Sequence, residues 1–252
     1  MERIFPDGTF KLVFNLRHDE LRIHDSHLST APRVFSGALI ARPSGAPFVT
    51  DSTEESAVLG VNFRLGGALP LLGRGACEPG ESHVDLRDVC GCRITELQER
   101  LSHCVGSNGR FQILEQWLIG QLTGRDRHRT EVLTALHTLG RPSPESRTRE
   151  VAHSAGLSER RFIELFKTEM VITPKLFSRV RRFQNSLSSI SGNTARVDWS
   201  LVAADCGYCD QSHLIRDFDT FAGVTPLEYL KRVRYLCERR ATLKPNHLPL
   251  VE

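Results

Sequence analysis

The 252-residue sequence contains no long apolar run. No stretch approaches the roughly 20 consecutive apolar residues of a membrane-spanning helix. The N-terminus, MERIFPDGTFKLVF, also lacks the basic start and continuous apolar block of an export signal. Hydrophobic residues make up 40% and charged residues 25%, as in soluble globular proteins. We therefore expect a cytoplasmic protein with enough length for two domains, each with a buried core.

A strong net charge is missing too, because the formal charge is only +3. The sign differs between the halves: residues 1–125 carry 13 Lys and Arg against 15 Asp and Glu, net −2, whereas residues 126–252 carry 20 against 15, net +5. A surplus of five positive charges produces only a weak positive potential over the C-terminal half. If the C-terminal half binds nucleic acid, its phosphate contacts must be clustered.

A paired set of cysteines is also missing. The chain has an odd number of cysteines, at positions 77, 90, 92, 104, 206, 209 and 237. Together with the lack of an export signal, this indicates reduced thiols. Cys206 and Cys209 form a CxxC pair, but they straddle a predicted turn and no second ligand pair has zinc-finger spacing. Buried structural thiols explain the four N-terminal cysteines better than a metal site does, and we expect no metal and no cofactor.

The stretch Trp199–Tyr229 has the pattern of two helices joined by a tight turn. Ser200 can cap the first helix, and Gly207 can end it because glycine adopts a left-handed conformation at little cost. Asp210 can cap the second helix, whose predicted apolar side consists of Leu214, Ile215, Phe218 and Phe221. Its polar side carries Gln211, Ser212, His213 and Arg216. These polar side chains can hydrogen-bond bases or phosphates in a major groove, although the spacing equally fits a solvated amphipathic pair.

The same pattern occurs twice in the C-terminal half. Ala152, Gly156 and Leu157 match Ala203, Gly207 and Tyr208 at an offset of 51, whereas Phe162, Phe166, Thr173, Pro174 and Phe177 match Leu214, Phe218, Thr225, Pro226 and Tyr229 at an offset of 52. The second turn is thus predicted to be one residue longer. A long helix over about 175–189 would join the copies, so that one monomer could address two major-groove segments about one helical turn apart.

The first copy has a more basic polar side. Ser158 takes the capping position of Asp210, and Glu159, Arg160 and Arg161 take the positions of Gln211, Ser212 and His213. Both arginines can pair with guanine or merely neutralise phosphate, and the sequence leaves these roles open. Three further cations are predicted to contact DNA phosphates: Lys167, Arg179 and Arg182.

The motif Gly-Tyr-x-Asp-Gln-Ser-His-x-x-Arg-x-Phe, followed by Gly-Val-Thr-Pro-x-x-Tyr, resembles the second helix-turn-helix of AraC/XylS-family transcription regulators. The resemblance implies an all-α domain with two helix-turn-helix motifs, over about 148–167 and 200–219. It implies DNA contacts through the two polar helix faces: Ser158, Glu159, Arg160, Arg161, Glu164, Asp210, Gln211, Ser212, His213 and Arg216.

Two positions in the first copy depart from the family pattern. Glu164 stands where the family mostly has arginine, and a carboxylate facing phosphate is repelled unless it accepts from cytosine N4 or pairs with a neighbouring arginine. Val171 aligns with Gly223, although β-branched residues resist the left-handed conformation that commonly ends a helix. Either the first recognition helix ends differently, or the site carries strain of about 1–3 kcal/mol.

The N-terminal half is predicted to be α+β. Its first 65 residues are β-rich, with Phe10, Leu12, Phe14 and Leu16 in alternation, and helices are expected over 95–105 and 111–122. The polar stretch that holds His18, His24 and His27 favours a solvated loop over a metal site, because no strand or helix period brings the three together. We expect a small sheet covered by helices.

A second resemblance covers about residues 5–122. The segments PDGTFKLVFNL, VLGVNFRLGGALPLLG and VDLRDVCG are similar to the N-terminal domain of an AraC-family subgroup with PDG near the start of a barrel-like sheet. That subgroup has proline where this chain has Leu65, and about twenty more residues before PDG. We therefore expect either a late start or a missing edge strand.

These patterns predict a domain for sensing or dimerisation at 1–123, a charged linker at 124–130, a DNA-binding domain at 131–240 and a tail at 241–252. Within the DNA-binding domain a first short helix is expected over 131–139. The predicted function is a sequence-specific, non-enzymatic transcription regulator that binds double-stranded promoter DNA at the nucleoid. RNA polymerase is its expected partner, and a small-molecule effector and a homodimer are further expectations.

Two alternatives involve the thiols. DNA-repair alkyl-transfer proteins carry a zinc-thiolate beside a similar helix-turn-helix, but Cys77, Cys90, Cys92 and Cys104 lack the paired spacing of such a site. A redox sensor would use Cys90 or Cys92, and its DNA affinity would change on oxidation.

Overall fold

The computed structural model describes residues 1–24, 31–51, 58–73, 80–122, 134–135, 138–139, 148–191, 197–238 and 246–250. The strands in these ranges are β1 (Glu2–Ile4), β2 (Lys11–Asn15), β3 (Leu21–His24), β4 (Arg33–Phe35), β5 (Ala38–Ala41), β6 (Phe48–Thr50), β7 (Val58–Asn62), β8 (His83–Asp85) and β9 (His247–Pro249). The N-terminal helices are α1 (Leu69–Leu72), α2 (Leu86–Cys90), α3 (Arg93–His103) and α4 (Ser107–Gln121). The C-terminal helices are α5 (Thr148–Ser154), α6 (Glu159–Met170), α7 (Pro174–Ser191), α8 (Trp199–Asp205), α9 (Gln211–Ala222) and α10 (Pro226–Glu238). In these ranges no helix has both the length and the apolar character needed to cross a membrane.

The strands form two antiparallel sheets. One has the order β4-β3-β6-β1-β9 and the other the order β7-β2-β5-β8. The alternation of side chains along a strand gives each sheet two different faces. In β2, Leu12 and Phe14 are fully buried among the residues of α1, α3 and α4, whereas Val13 points to the cavity between the sheets. The predicted α+β class and barrel-like sheet are confirmed.

Some strands were not expected from the sequence. Leu21–His24 lies in the stretch predicted as a solvated loop, yet it forms β3 because Leu21 and Ile23 alternate with Arg22 and are buried between the sheets. His27 of the proposed histidine cluster lies outside the described residues. β1, β8 and β9 are three-residue strands, too short for their alternation to be visible in the sequence.

The C-terminal helices contain both predicted helix-turn-helix motifs. The predicted cap at Ser200 is wrong: Asp198 caps α8, because its Oδ1 accepts from the backbone N–H groups of Ser200 and Leu201 at 3.0 and 3.2 Å. Ile215 is also wrong as a core residue, since it is 37% exposed. Of the helix expected over 131–139, only 134–135 and 138–139 are described. All four residues are helical, and Ala135 and Leu139 are buried.

Candidate nucleic-acid interface

The two helix-turn-helix motifs have equivalent turns. Gly156 and Gly207 both adopt left-handed backbone conformations, with φ of 68° and 76°. The following residue donates its backbone N–H back to the preceding helix in each case, from Leu157 to Ala152 O at 3.0 Å and from Tyr208 to Ala203 O at 2.8 Å. Residues 155–158 connect the first pair of helices and 206–210 the second. The second turn is thus one residue longer, as predicted.

Both recognition helices are capped as the sequence predicts. Ser158 Oγ accepts from the Arg161 N–H at 3.3 Å and begins α6. Asp210 Oδ1 accepts from the His213 N–H at 2.7 Å and begins α9. Each cap satisfies a backbone donor that has no partner within its helix. The first turns of α6 and α9 therefore have a defined start.

The helix α7 joins the two motifs. Its 18 residues span about 27 Å at the helical rise, and its Phe183 ring packs against Phe218 and Phe221 of α9 at centroid distances of 5.2 and 5.5 Å. At the other end, Phe177 packs against Phe166 of α6 at 5.7 Å. Both recognition helices are thus fixed to one rigid connector.

The predicted DNA-contacting side chains lie on the accessible faces of the two recognition helices. On α6 and its cap the exposed residues are Ser158, Glu159, Arg160, Arg161, Glu164 and Lys167. On α9 and its cap they are Asp210, Gln211, Ser212 and Arg216. His213 is half-buried because its ring packs edge-on against Tyr208 at 5.3 Å. Ser200 also reaches this face, where its hydroxyl lies 3.5 Å from Gln211 Oε1. Their contacts with bases remain predictions.

The first recognition helix carries an ion-pair cluster. Glu164 Oε1 accepts from Arg160 Nε at 3.1 Å, and Glu164 Oε2 lies 3.7 Å from Arg161 Nη1. The Arg160 side chain is nevertheless 91% exposed. Glu164 thus pairs with neighbouring arginines, one of the two arrangements that would reduce its repulsion by phosphate.

The two connector arginines have intramolecular partners. Arg179 donates from Nη2 and Nε to Asp217 Oδ1 at 2.7 and 3.1 Å, and its guanidinium lies over the Phe221 ring. Arg182 donates from Nη1 to Gly207 O at 3.1 Å and stacks on Tyr208. Each arginine therefore supports α9 or the turn before it. Their predicted phosphate contacts remain predictions.

The buried carboxylate of Asp217 is a structural residue of this site that is not among those predicted from the sequence. This residue is 0% exposed although it lies on a recognition helix, and Arg179 compensates its charge. The spacing gives the only available signal: Asp217 lies three residues after Leu214 and four before Phe221, so it shares their buried face. A charge at a core position predicts a buried partner, but the sequence does not identify that partner.

The two recognition helices end in the same backbone conformation although one ends at valine and the other at glycine. Val171 ends α6 in the left-handed conformation with φ of 67°, and its N–H donates to Lys167 O at 2.9 Å. Gly223 ends α9 at φ 62° in the same way. The geometry is therefore preserved, and Val171 carries the strain that was one of the two expected outcomes. Its side chain packs against the N-terminal core cluster, which includes Phe63 and Leu69.

The structure describes the side chains of five cysteines: Cys206 is buried, Cys90 and Cys104 are partly buried, and Cys92 and Cys209 are exposed. Burial raises the pKa of Cys90 and of Cys206, which disfavours the thiolate at neutral pH. Among the residues that the structure describes, no group of three or more His, Cys, Asp or Glu can hold a metal ion. Cys77 lies outside those residues.

The N-terminal domain contains a cavity of about 1040 Å³ between its two sheets, called here the inter-sheet cavity. Its apolar lining includes Val13, Ile23, Leu39 and Phe48. Its polar lining is mixed: it contains five carboxylates (Glu2, Asp7, Asp19, Glu20 and Asp51), the cations Lys11 and Arg22, and further polar groups that include Asn15, Asn62 and His247. His83 forms part of the wall. Burial, with smaller contributions from Arg33 and Lys11, lowers its pKa to about 4, so the ring is neutral at physiological pH.

The geometry of residues 148–191 and 197–238 defines a double helix-turn-helix DNA-binding domain. The model of a family described as "Helix-turn-helix domain" matches residues 151–232. The matched region of this chain is therefore a helix-turn-helix domain of the AraC type. The narrower subgroup with the PDG sequence stays a prediction.

A solved structure shares the two-domain fold. ToxT from Vibrio cholerae superposes with a TM-score of 0.50 at 11% sequence identity, over 92% of this chain and 94% of that one. A second ToxT structure, described as unsaturated fatty acid bound, gives a TM-score of 0.49 at 11% identity, over 91% and 90% of the two chains. A comparison with curated protein sequences gives no significant match.

Proposed function

We propose that this protein is a sequence-specific transcription regulator that binds promoter DNA through α6 and α9 and responds to a small molecule in the inter-sheet cavity. The observation that carries the proposal is the placement of two capped, exposed polar helix faces on the single connector α7. Such a body can present both helices to successive major-groove segments of one duplex. The protein would act at the nucleoid, in the cytoplasm.

Base recognition is proposed for residues at the beginning of each recognition helix. Arg160 and Arg161 suit guanine, which offers two acceptors, while Gln211 suits adenine, which offers an acceptor and a donor. Ser158, Glu159, Ser212 and His213 lie in the same first turns, and Glu164 and Arg216 one turn further along. Lys167 at the other end of α6 is proposed to contact phosphate.

The response to an effector is proposed from the size and lining of the inter-sheet cavity. A volume of about 1040 Å³ is at the upper end of the range for small-molecule sites. Its apolar wall, and the excess of five carboxylates over the two cations Lys11 and Arg22 in its polar lining, suit a neutral or cationic ligand with hydrogen-bond donors better than an anion. Regulation would then consist of changing promoter occupancy or the contact with RNA polymerase.

A homodimer is proposed through α4 in the N-terminal domain. This helix exposes large apolar side chains, with Phe111 55% and Ile119 60% accessible. Exposed apolar area of this kind is common at protein interfaces. Sedimentation of the purified protein at micromolar concentration should give a dimer, and Ile119→Asp should shift the population to monomer.

The DNA-binding proposal is tested with the purified full chain. Its affinity for the DNA upstream of its own gene is compared with that for random duplex of equal length at one fixed moderate salt concentration. Specific binding should be about a thousandfold tighter or more. Equal affinity for the two duplexes would contradict sequence-specific regulation.

A further inference from the structure

The strand β9 follows the DNA-binding helices in the chain but belongs to the N-terminal sheet. It pairs antiparallel with β1, with Arg3 opposite Leu248 and Ile4 opposite His247. Two more backbone hydrogen bonds extend the pairing: Phe5 N–H donates to Asn246 O at 2.9 Å, and Leu250 N–H donates to Met1 O at 3.0 Å. We call β1 and β9, with the flanking Phe5 and Asn246, the terminal ribbon.

One face of the terminal ribbon lines the inter-sheet cavity. Glu2 and Ile4 of β1 and His247 of β9 all contribute to its wall. His247 Nδ1 lies 2.8 Å from Glu2 Oε2, and Asn246 Nδ2 donates to Asp7 Oδ2 at 3.4 Å. Polar contacts at the cavity wall thus hold the C-terminal strand against the N-terminal one.

The other face of the terminal ribbon contacts the second recognition helix. Because side chains alternate along a strand, Arg3 and Leu248 point away from the cavity. Arg3 Nη1 donates to Ala222 O and Gly223 O at 3.1 and 3.2 Å, which are carbonyl groups at the C-terminal end of α9. A cation at this position also interacts favourably with the helix dipole.

The same face supplies apolar side chains to the core beneath α9. Leu248 is 0% exposed and Phe5 is 1% exposed, and both belong to the cluster of buried residues that contains Leu214 and Phe218. The Phe5 ring lies 6.0 Å from that of Tyr229 on α10. The core of the second helix-turn-helix is therefore completed by residues from outside the DNA-binding domain.

We propose that the terminal ribbon positions the second recognition helix and transmits the state of the inter-sheet cavity to it. A ligand that competes for Glu2 or His247 would disturb the pairing of β9, and any displacement of β9 moves Leu248 within the α9 core. A strand cannot slip by one residue without exchanging its two faces, so the response is a change between discrete arrangements. This inference rests on the proposed DNA-binding function and names Arg3, His247 and Leu248 as positioning residues.

The test uses the full chain without a ligand and measures the footprint on its upstream DNA. His247→Ala alters only the cavity face of the ribbon and Leu248→Ala only the helix face. Asn62→Ala is the matched control, because Asn62 lines the same cavity from β7. The footprint of the Arg216→Ala variant identifies the DNA segment that α9 contacts, because that variant should lose protection there. Both ribbon variants should lower the affinity for the upstream DNA by about tenfold or more. Their loss of protection should be confined to the segment that α9 contacts. The Asn62→Ala control should bind DNA as the wild type does.

Thermal unfolding of each variant identifies any that fail to fold, and Leu248→Val replaces Leu248→Ala if that variant does. Folded ribbon variants with wild-type affinity and footprint would overturn the inference, as would equal loss of protection over both segments. Absence of specific binding by the wild type would instead contradict the proposed function.

Discussion

Glu164 holds Arg160 on the exposed face of the first recognition helix, with Nε 3.1 Å from Oε1. The pair lies on α6, four residues apart, where the two side chains are neighbours on one helix face. An arginine engaged in this way must leave its carboxylate partner, or carry it to the DNA, before it can contact a base.

Removing the carboxylate should therefore strengthen DNA binding. Glu164→Gln frees Arg160 and Arg161 from their ion pairs and removes a negative charge near the DNA phosphates. Because an exposed ion pair is worth about 0.2–1 kcal/mol, the affinity for DNA should rise by about three- to tenfold. Glu159→Gln removes the same charge from the same helix and is the matched control. Titration of labelled upstream DNA measures both, and an equal gain from the control would assign the effect to net charge alone.

Base contacts and phosphate contacts should separate by salt dependence. Gln211→Ala should change the preferred base at one position of the second segment and cost about 1–3 kcal/mol there. Lys167→Ala should weaken binding to all sequences and reduce the slope of log K against log salt by about one. Selection of binding sites from a random library measures the first effect, and affinity at several salt concentrations measures the second. If both variants weakened binding equally to all DNA sequences, Gln211 as well as Lys167 would contact only phosphate.

The pair between Arg179 and Asp217 should act on stability. Arg179→Ala leaves a fully buried carboxylate without its cation and should lower the free energy of unfolding by about 3 kcal/mol or more. The double variant Arg179→Met with Asp217→Leu should recover most of this loss, because it removes both charges and fills the space. Urea unfolding measures the difference. If Arg179→Ala weakened DNA binding without affecting stability, the phosphate contact would be its main role.

The two left-handed helix ends should respond to glycine and alanine in a characteristic order. At Val171, glycine should give a more stable protein than alanine by about 1 kcal/mol, because alanine loses the packing of valine yet keeps most of the backbone strain. Gly223→Ala should be destabilising by at least a similar amount, since the added Cβ would lie 3.1 Å from Arg3 Nη1. Thermal unfolding of the three variants measures this order of stability. If Val171→Ala and Val171→Gly were equally stable, the backbone at residue 171 would carry no strain.

His83 should make the N-terminal domain sensitive to mild acid. Burial lowers its pKa from 6.5 to about 4 in the folded protein, so the unfolded chain binds a proton first as the pH falls. Stability is then full above about pH 6.5 and declines toward pH 4, with a loss of about 2 kcal/mol between pH 7 and pH 5. Urea unfolding at these two pH values should show this slope, and His83→Gln should flatten it.

Local patterns account for what could be predicted from the sequence. The turns at Gly156 and Gly207 and the caps at Ser158 and Asp210 depend on residues within a few positions of one another, so the chemistry of each is visible in a short window. The offset between the two copies likewise predicted a turn one residue longer in the second motif. The exposed faces of α6 and α9 follow from the same helical period.

Contacts between distant residues could not be predicted in this way. Glu2 and His247 are 245 positions apart, and nothing in a three-residue strand indicates its partner. Ile215 and Asp217 show the same limit on a smaller scale. The charged Asp217 is buried, where Arg179 from another helix neutralises its carboxylate, whereas the apolar Ile215 is exposed.

The sequence by itself determined two helix-turn-helix motifs, their caps and their polar faces, since each depends on helical periodicity and on the conformational preferences of single residues. Only the tertiary structure decided that the last strand returns to the N-terminal sheet and that Leu248 completes the core beneath the second recognition helix. The physical reason is that burial and strand pairing are gained between surfaces that meet only when the whole chain is folded.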